Sequence, residues 1–354
     1  MHKIIEELAQ AEQEMRAGSF DRATDILANL KRRLESRTEL THLSEQERIV
    51  ALVKVLNNLG VVHKNVGDFQ SATSYLESAL EASTPLGEDA VRMKTGILSN
   101  LGLLYSRCRM YAKGKASFDE ALSIAEKHPD SVDSGFKVKL RNNRALFFVR
   151  FGELDRARDE LAQALEAARD QEYRDGESER EAWLNANLAM IHAELGEEEI
   201  YDTARREELF RQARAMFLRS ADLYGGEGYL HHKLKQLINV AELEIRLGAL
   251  EEARRRLREA HRDAERIKSG RLLCEVAQVA VDLALRTGDR EQVVDRTMEL
   301  LDACKGHDPA DLPIRLMRLE NVLRQAGQKE ALKLVSDFRN SRKISQNITE
   351  KSPS

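Results

Sequence analysis

Five asparagines occupy one equivalent position in five successive segments of this chain. They lie 42 to 52 residues apart, and each precedes a glycine or an alanine by two residues. This asparagine ladder consists of Asn58, Asn100, Asn143, Asn187 and Asn239. A carboxamide has two N–H donors and an oxygen with two lone pairs, so it can bond both the N–H and the C=O of an extended backbone. The ladder therefore predicts a surface that holds a peptide, not one that catalyses a reaction.

Several of these asparagines, called rungs of the ladder below, are needed to hold a peptide, because one net hydrogen bond contributes only about 0.5–1.5 kcal/mol. An alternative role for the ladder stays open at this point. Each asparagine can instead bond the adjacent helix and fix how successive units stack.

The side chains assigned to the same face as the ladder differ between the two halves of the chain. Those of the N-terminal half include no acid: Lys54, Asn57, Lys64, Asn65, Arg107, Lys139, Asn142 and Arg150. Those of the C-terminal half are mixed: Trp183, Glu194, Lys235, Glu242, Arg246, Glu275, Asp282 and Arg286. The N-terminal half is therefore expected to be positive and to favour an acidic segment or a C-terminal carboxylate. The alternative is an ordinary solvated helix face.

Apolar residues lie one turn from three of the rungs. Leu103, Leu146 and Met190 are expected to receive apolar side chains of the bound segment.

The elements that must position these residues are helices. Of the 354 residues, 33% are charged and 5% are aromatic, and only five are prolines. Alanine, leucine, glutamate and arginine dominate, which is typical of an all-helical protein.

A helix–turn–helix unit recurs along the whole chain. Its turn is predicted to begin at Gly18, Gly67, Arg109, Gly152, Gly196, Gly248, Gly288 and Gly327, with arginine replacing glycine once. Glycine suits the end of a helix because it adopts positive φ without strain. An aromatic residue or a leucine often follows two positions later, as at Phe20, Phe69, Tyr111, Leu154 and Leu250.

The packed positions of these units follow a small–aromatic–Gly–aromatic–Ala–large–Ala order. One unit has Leu56, Leu59, Gly60, His63, Gly67, Phe69, Ala72, Leu76 and Ala79, and the next has Leu101, Gly102, Tyr105, Tyr111, Gly114, Phe118 and Ala121. This pattern resembles the tetratricopeptide repeat family over roughly residues 1–340. The steps exceed the 34 residues common in that family. They resemble the long-helix branch found in kinesin light chains and Rap-type peptide sensors.

The resemblance implies a right-handed, all-α superhelical solenoid of about seven or eight helix pairs. It also implies that the first helix of each pair lines the concave face, which would place the ladder inside the superhelix.

Parts of the array depart from the pattern. The first repeat and the last two are degenerate, as is expected of terminal repeats. Repeat 5 has an insertion near residues 197–211, which would either lengthen a helix or form a protruding loop, and Ala213 fits its small position better than Tyr201 does. Residues 341–354 are polar and are predicted to be a disordered tail.

No sequence motif indicates an enzyme. P-loop, G-x-G-x-x-G, H-E-x-x-H, G-x-S-x-G and C-x-x-C patterns are all missing. His231 and His232 are adjacent, so on a helix they point about 100° apart and cannot form an i,i+4 metal pair. Cys108, Cys274 and Cys304 have neither disulfide nor zinc spacing, so reduced thiols are expected. We therefore expect no catalytic residue, metal or cofactor.

Charge and hydropathy restrict the partners. A net charge of −4 argues against a general nucleic-acid binder. No apolar stretch is long enough to insert into a membrane, and residues 1–15 do not have the composition of a signal peptide. A cytoplasmic protein that binds a protein or peptide partner is expected.

Three functions remain compatible with the sequence. The favoured one is a non-enzymatic adaptor or scaffold that binds an extended, acidic segment in its groove. The second is a Rap-like peptide sensor that changes conformation and so controls a partner protein. The third is a scaffold that assembles with copies of itself.

Overall fold

The computed structural model describes residues 2–16, 19–36, 43–169, 177–225, 229–306 and 312–342. These residues form sixteen α-helices and no strand, so the all-α prediction is confirmed. The chain divides into two compact units, Met1–Asp175 and Gly176–Ser354, each with four helix pairs. None of the described helices combines the length and the apolar composition that a membrane span requires.

The first unit contains helices α1 to α8. Their bounds are α1 His2–Arg16, α2 Phe20–Glu35, α3 Glu45–Val66, α4 Phe69–Ala82, α5 Val91–Arg107, α6 Tyr111–Lys127, α7 Ser134–Arg150 and α8 Leu154–Arg169. A short 3-10 helix, Thr84–Ala90, connects α4 to α5. Each first helix packs on its own second helix, and α1, α3, α5 and α7 contact one another in that order.

The second unit contains helices α9 to α16. Their bounds are α9 Glu177–Glu198, α10 Thr203–Leu223, α11 Leu230–Arg246, α12 Leu250–Arg266, α13 Gly270–Thr287, α14 Arg290–Gly306, α15 Leu312–Gln325 and α16 Lys329–Ser341. Helix α16 thus includes the first residue of the predicted tail, and positions 343–354 of that tail lie outside the described residues.

Local sequence signals fix the ends of the helices that carry the N-terminal rungs. Helix α3 begins with a capping box, in which the Glu47 backbone N–H donates to Ser44 Oγ (3.2 Å) and the Ser44 N–H donates to the Glu47 carboxylate (2.9 Å). Helix α3 ends at Gly67, whose φ is 87°. Helix α7 begins at Asp133, whose carboxylate accepts from the Phe136 N–H at 2.8 Å.

Most predicted turns have the expected backbone. Positive φ is found at Gly67, Gly152, Gly248, Gly288 and Gly327. Arg109, which replaces glycine in the third unit, also has a positive φ of 59°, so the turn keeps its conformation without glycine. The predicted turn at Gly18 lies outside the described residues.

The predicted turn at Gly196 is wrong. Gly196 lies inside α9, where a Cβ would come within 2.6 Å of the Phe210 ring. This glycine therefore permits close packing of α9 against α10, and the connection between the two helices is residues 199–202.

The insertion of repeat 5 lengthens helices. Residues 197–211 form the end of α9, the short connection and the first part of α10. Ala213 is buried while Tyr201 is 92% exposed, as expected from the choice of Ala213 as the packed position. The protruding-loop alternative is not observed.

The three cysteines are free thiols. Cys274 and Cys304 are buried, with their sulfurs 3.7 Å apart, and Cys108 is half-buried.

Glycines on the first helices let large side chains of the second helices pack close to the backbone. A Cβ on Gly102 would lie 2.5 Å from the Phe118 ring, which is fully buried in α6. We therefore expect Gly102→Ala to destabilise the protein by about 1–3 kcal/mol through overpacking, measured by urea unfolding.

Gly96 in the same helix provides the matched control for this prediction. A Cβ there would meet only the Phe136 ring, at an ordinary 3.6 Å. Gly96→Ala should be neutral or stabilising, because alanine is favoured over glycine in a helix by about 1 kcal/mol. Similar losses in both variants would contradict the packing explanation.

Candidate functional site

A cleft of about 230 Å³ crosses the exposed faces of α3, α5 and α7 in the first unit. Five residues predicted from the sequence line it: Lys54, Asn57, Asn100, Lys139 and Asn143. The other lining residues are Val53, Met93, Gly96, Ile97, Ser99, Phe136 and Leu140. Side chains three or four residues apart share one helix face, so each helix contributes its own part of the cleft.

The ladder asparagines of this unit bond the neighbouring repeat. Asn100 Nδ2 donates to Asn57 Oδ1 at 2.8 Å, and Asn143 Nδ2 donates to Ser99 Oγ at 3.1 Å. Asn58 Nδ2 lies 3.5 Å from Glu12 Oε1, a longer contact with α1. The stacking role that the sequence left open is therefore part of what these residues do.

Each of the two central rungs also keeps hydrogen-bonding capacity. Among the described residues, the Asn100 and Asn143 carboxamide oxygens and their second N–H groups have no further partner. The bond to the neighbouring helix holds each carboxamide in one orientation. The remaining groups are therefore pre-oriented for an external ligand.

Four predicted cations at this face are exposed to solvent. Lys54 and Lys139 are exposed, and within the described part of the chain neither has a carboxylate partner. The same holds for exposed Arg107 and Arg150. Helices α5 and α7 contain no Asp or Glu, and the acids of α3 lie in its first turn. On α3, α5 and α7 this face therefore carries exposed cations, and Glu12 lies at its α1 edge.

The placement of two predicted residues on this face is wrong. Asn142 is only 1% exposed, because it lies one residue, or about 100°, away from the Asn143 direction on α7. Lys64 is 8% exposed, and this burial, together with the positive charge of Arg107, lowers the pKa of Lys64 to about 8. A ligand on the surface cannot reach either side chain.

The remaining predicted residues of the first unit lie beside the cleft. Asn65 is exposed, Leu146 is 45% exposed and Leu103 is half-buried. An apolar surface therefore follows the rungs one turn further along α5 and α7.

The ladder residues of the second unit have different surroundings. Asn187 and Asn239 are half-buried on α9 and α11, and Asn239 Nδ2 lies 3.5 Å from Gln236 Oε1 of its own helix. Met190 is 50% exposed. The ladder therefore continues in the sequence of the second unit. Among the described residues, however, Asn187 and Asn239 do not line a cleft like that of the first unit.

Two predicted cations on the corresponding face of the second unit, Lys235 and Arg246, are paired internally. Lys235 Nζ lies 2.8 Å from the Glu275 carboxylate, and Arg246 contacts both Glu197 and Glu242. Burial and the negative charge of Glu242 raise the pKa of Asp282 to about 6, against the effect of Arg246. Lys235 and Arg246 are therefore less available to an external ligand than the exposed lysines of the first unit, whereas Arg286 is exposed.

Seven lining residues were not predicted from the sequence, and two of them, Gly96 and Ser99, shape the surroundings of the central asparagines. Gly96 stands four residues before Asn100, where the neighbouring repeats have Lys54 and Lys139, and its missing side chain opens the floor beside Phe136. Ser99 accepts the hydrogen bond of Asn143. The residues four positions before Asn58, Asn100 and Asn143 are Lys, Gly and Lys. This difference would have identified Gly96 from the sequence.

Two family models, both described as tetratricopeptide repeat, match residues 52–84 and 96–128 of the chain. The first match covers most of α3 and α4, and the second covers most of α5 and α6. No curated protein matches the chain significantly.

Solved structures with a similar fold cover most of the chain. BtubC (BKLC) from P. vanneervenii is 21% identical, with a TM-score of 0.54 over 69% of this chain and 91% of its own. The apo form of RapI is 12% identical, with a TM-score of 0.58 over 96% and 98% of the two chains. A Rap protein complexed with Competence and Sporulation Factor is 15% identical, with a TM-score of 0.53 over 97% and 98%. At these identities the likeness concerns the fold.

Proposed function

We propose that this chain, which contains tetratricopeptide-repeat matches at residues 52–84 and 96–128, is a cytoplasmic, non-enzymatic adaptor that binds an extended acidic segment across α3, α5 and α7. The observation that carries the proposal is the cleft of the first unit. It brings together, from three different helices, two pre-oriented carboxamides and two lysines that have no carboxylate partner among the described residues.

Each part of the cleft has a distinct role in this proposal. The Asn100 and Asn143 carboxamides bond the peptide backbone of the ligand through their remaining oxygen and N–H groups. The Lys54 and Lys139 ammonium groups select a carboxylate, either of an acidic side chain or of a chain terminus. Leu103 and Leu146 offer apolar contact to alternate side chains of the same segment.

A regulatory peptide sensor is the second candidate. It is favoured by the similarity in fold to a Rap protein complexed with Competence and Sporulation Factor. Small-angle scattering distinguishes the two, because a sensor changes its radius of gyration when the peptide is added and a rigid adaptor does not.

The proposal is tested by removing the two central carboxamides together. We expect Asn100→Ala/Asn143→Ala to weaken binding of the acidic segment by about 1–3 kcal/mol, or roughly 5- to 150-fold. Lysate proteins captured by wild type and lost by the variant are identified by mass spectrometry. The captured segment is then synthesised and its affinity is measured by fluorescence anisotropy.

The same substitutions also remove two bonds between repeats. Each is worth about 0.5–1.5 kcal/mol, so a modest fall in unfolding free energy is expected. Asn29→Ala, at an exposed position on α2, controls for loss of a surface asparagine. If stability falls while affinity per folded molecule stays unchanged, the ladder serves stacking alone and the proposal fails.

A further inference from the structure

A second, larger groove lies in the second unit, between α12 and α14. Its volume is about 950 Å³, and α13 forms its floor. Helices α12 and α14 each pack on α13, but among the described residues they make little contact with each other. The outer side of α13 therefore stays accessible between them.

The floor is apolar along its whole length. It consists of Leu273, Val276, Ala277, Ala280, Leu283 and Ala284, which lie on one stripe of α13. Leu273 and Ala280 are half-buried, whereas the other four floor residues are at most 7% exposed, so only part of the stripe is accessible to a ligand. Three of the floor residues are alanines, Ala277, Ala280 and Ala284. Because their side chains are short, another backbone can approach α13 closely.

The length and volume of the groove are compatible with one partly inserted helix. The lining residues run from Arg254 to Glu265 on α12 and from Gln292 to Ala303 on α14. Each run covers eleven helical steps, which is about 17 Å or three turns. A helix of this length and about 10 Å diameter occupies roughly 1,300 Å³, so it would lie partly sunk in the groove.

The two walls differ in charge. Helix α12 has six arginines in seventeen residues, and Arg254, Arg258 and Arg262 form a row along the groove at i, i+4 spacing. The same wall also carries Glu259 and Glu265, which contact Arg255 and His261, and Arg254 pairs with Glu251. Arg258 and Arg262 are exposed and have no carboxylate partner within the described ranges. The α14 wall holds Glu299 and Asp302, which pair with Arg296 and Lys305.

We propose that this groove docks an amphipathic α-helix of a protein partner, with its apolar stripe on α13 and an acidic edge against Arg258 and Arg262. Two carboxylates spaced four residues apart on the partner match the spacing of these two arginines. Burial of the accessible part of the stripe, at Leu273 and Ala280, supplies apolar contact, and the charged edge contributes affinity and fixes how the helix is rotated about its axis. This site is separate from the proposed peptide cleft and belongs to the other unit.

A defined peptide set tests the proposal on the full-length protein. The probe is a fluorescein-labelled, end-capped helical peptide of 15 residues with leucine and alanine on one face and Glu pairs at i, i+4 on one edge. Matched peptides carry Gln or Lys in place of Glu. We expect saturable binding of the Glu peptide, at least tenfold weaker binding of the Gln peptide and still weaker binding of the Lys peptide.

Charge reversal in the protein supplies the second readout. Arg258→Glu/Arg262→Glu should weaken the Glu peptide by at least tenfold and strengthen the Lys peptide. Both positions are exposed, so circular dichroism should be unchanged. Arg290→Glu/Lys329→Glu, at exposed positions that do not line the groove, gives the same charge change as a control.

Three results would overturn the proposal. The first is no saturable binding of any peptide, and the second is equal binding of the Glu and Gln peptides. The third is a sedimentation mass that rises with protein concentration and returns to one chain in Arg258→Glu/Arg262→Glu, because the occupant would then be a second copy.

Discussion

Reversing both lysine charges of the cleft, in Lys54→Glu/Lys139→Glu, will weaken binding of the acidic segment by about 1–4 kcal/mol, or roughly 5- to 1,000-fold. An exposed ion pair contributes about 0.2–1 kcal/mol, and each reversal replaces an attraction by a repulsion of similar size. Both residues are exposed and lack carboxylate partners in the described structure, so folding should be unaffected. Fluorescence anisotropy with the segment identified by capture gives the affinities.

Salt dependence separates this electrostatic effect from a change in fold. The affinity of the wild type should decrease as the salt concentration rises from about 0.05 M to 0.5 M. The affinity of the reversed variant should change little or should increase. Lys127→Glu/Arg22→Glu introduces the same charge change at exposed positions on α6 and α2, away from the cleft. Equal losses in both double variants would mean that overall charge, and not the cleft, selects the ligand.

Removing the carboxylate of Glu244 will cause the largest loss of stability. Glu244 on α11 is 0% exposed and accepts four hydrogen bonds of 2.9–3.1 Å, two from Arg214 and two from Arg256. Removing one member of a buried pair costs about 3–5 kcal/mol. We expect about 3 kcal/mol for Glu244→Ala, because both arginine side chains retain some solvent contact. Urea unfolding followed by circular dichroism measures this loss.

A nearby exposed pair is the control for this prediction. Glu251 contacts Arg254 at 3.1 Å on the surface of α12, so Glu251→Ala should cost no more than about 1 kcal/mol. If Glu244→Ala also lowers the free energy of unfolding by less than about 1 kcal/mol, water must replace the hydrogen bonds of the buried carboxylate. The three-residue network would then not hold α10, α11 and α12 together.

Patterns within one helix pair were sufficient to predict the fold. The small–large spacing that places Gly102 against Phe118 repeats with the helical period. The turn glycines end helices at fixed places, and even Arg109 keeps the turn conformation. These features depend on neighbours a few residues away along a helix, or on one partner helix, and such constraints appear directly in the sequence.

The candidate site was partly predictable for the same reason. The position of Asn100 and Asn143 and the lack of acids in α5 and α7 follow from helical spacing and composition. Spacing alone cannot give the width of an exposed face, however. Asn142 and Lys64 were therefore assigned to the surface although packing buries them.

The tertiary structure decided the features that depend on residues distant in the chain. Gly196 proved to be a packing glycine because Phe210 comes from the next helix. Glu275 neutralises Lys235 from forty residues away, whereas Lys54 and Lys139 find no such partner in the described residues. By itself the sequence determined the helical repeat and the asparagine ladder, because these have a local period. Which charges stay available, and where grooves open, depended on contacts between helices that no local period specifies.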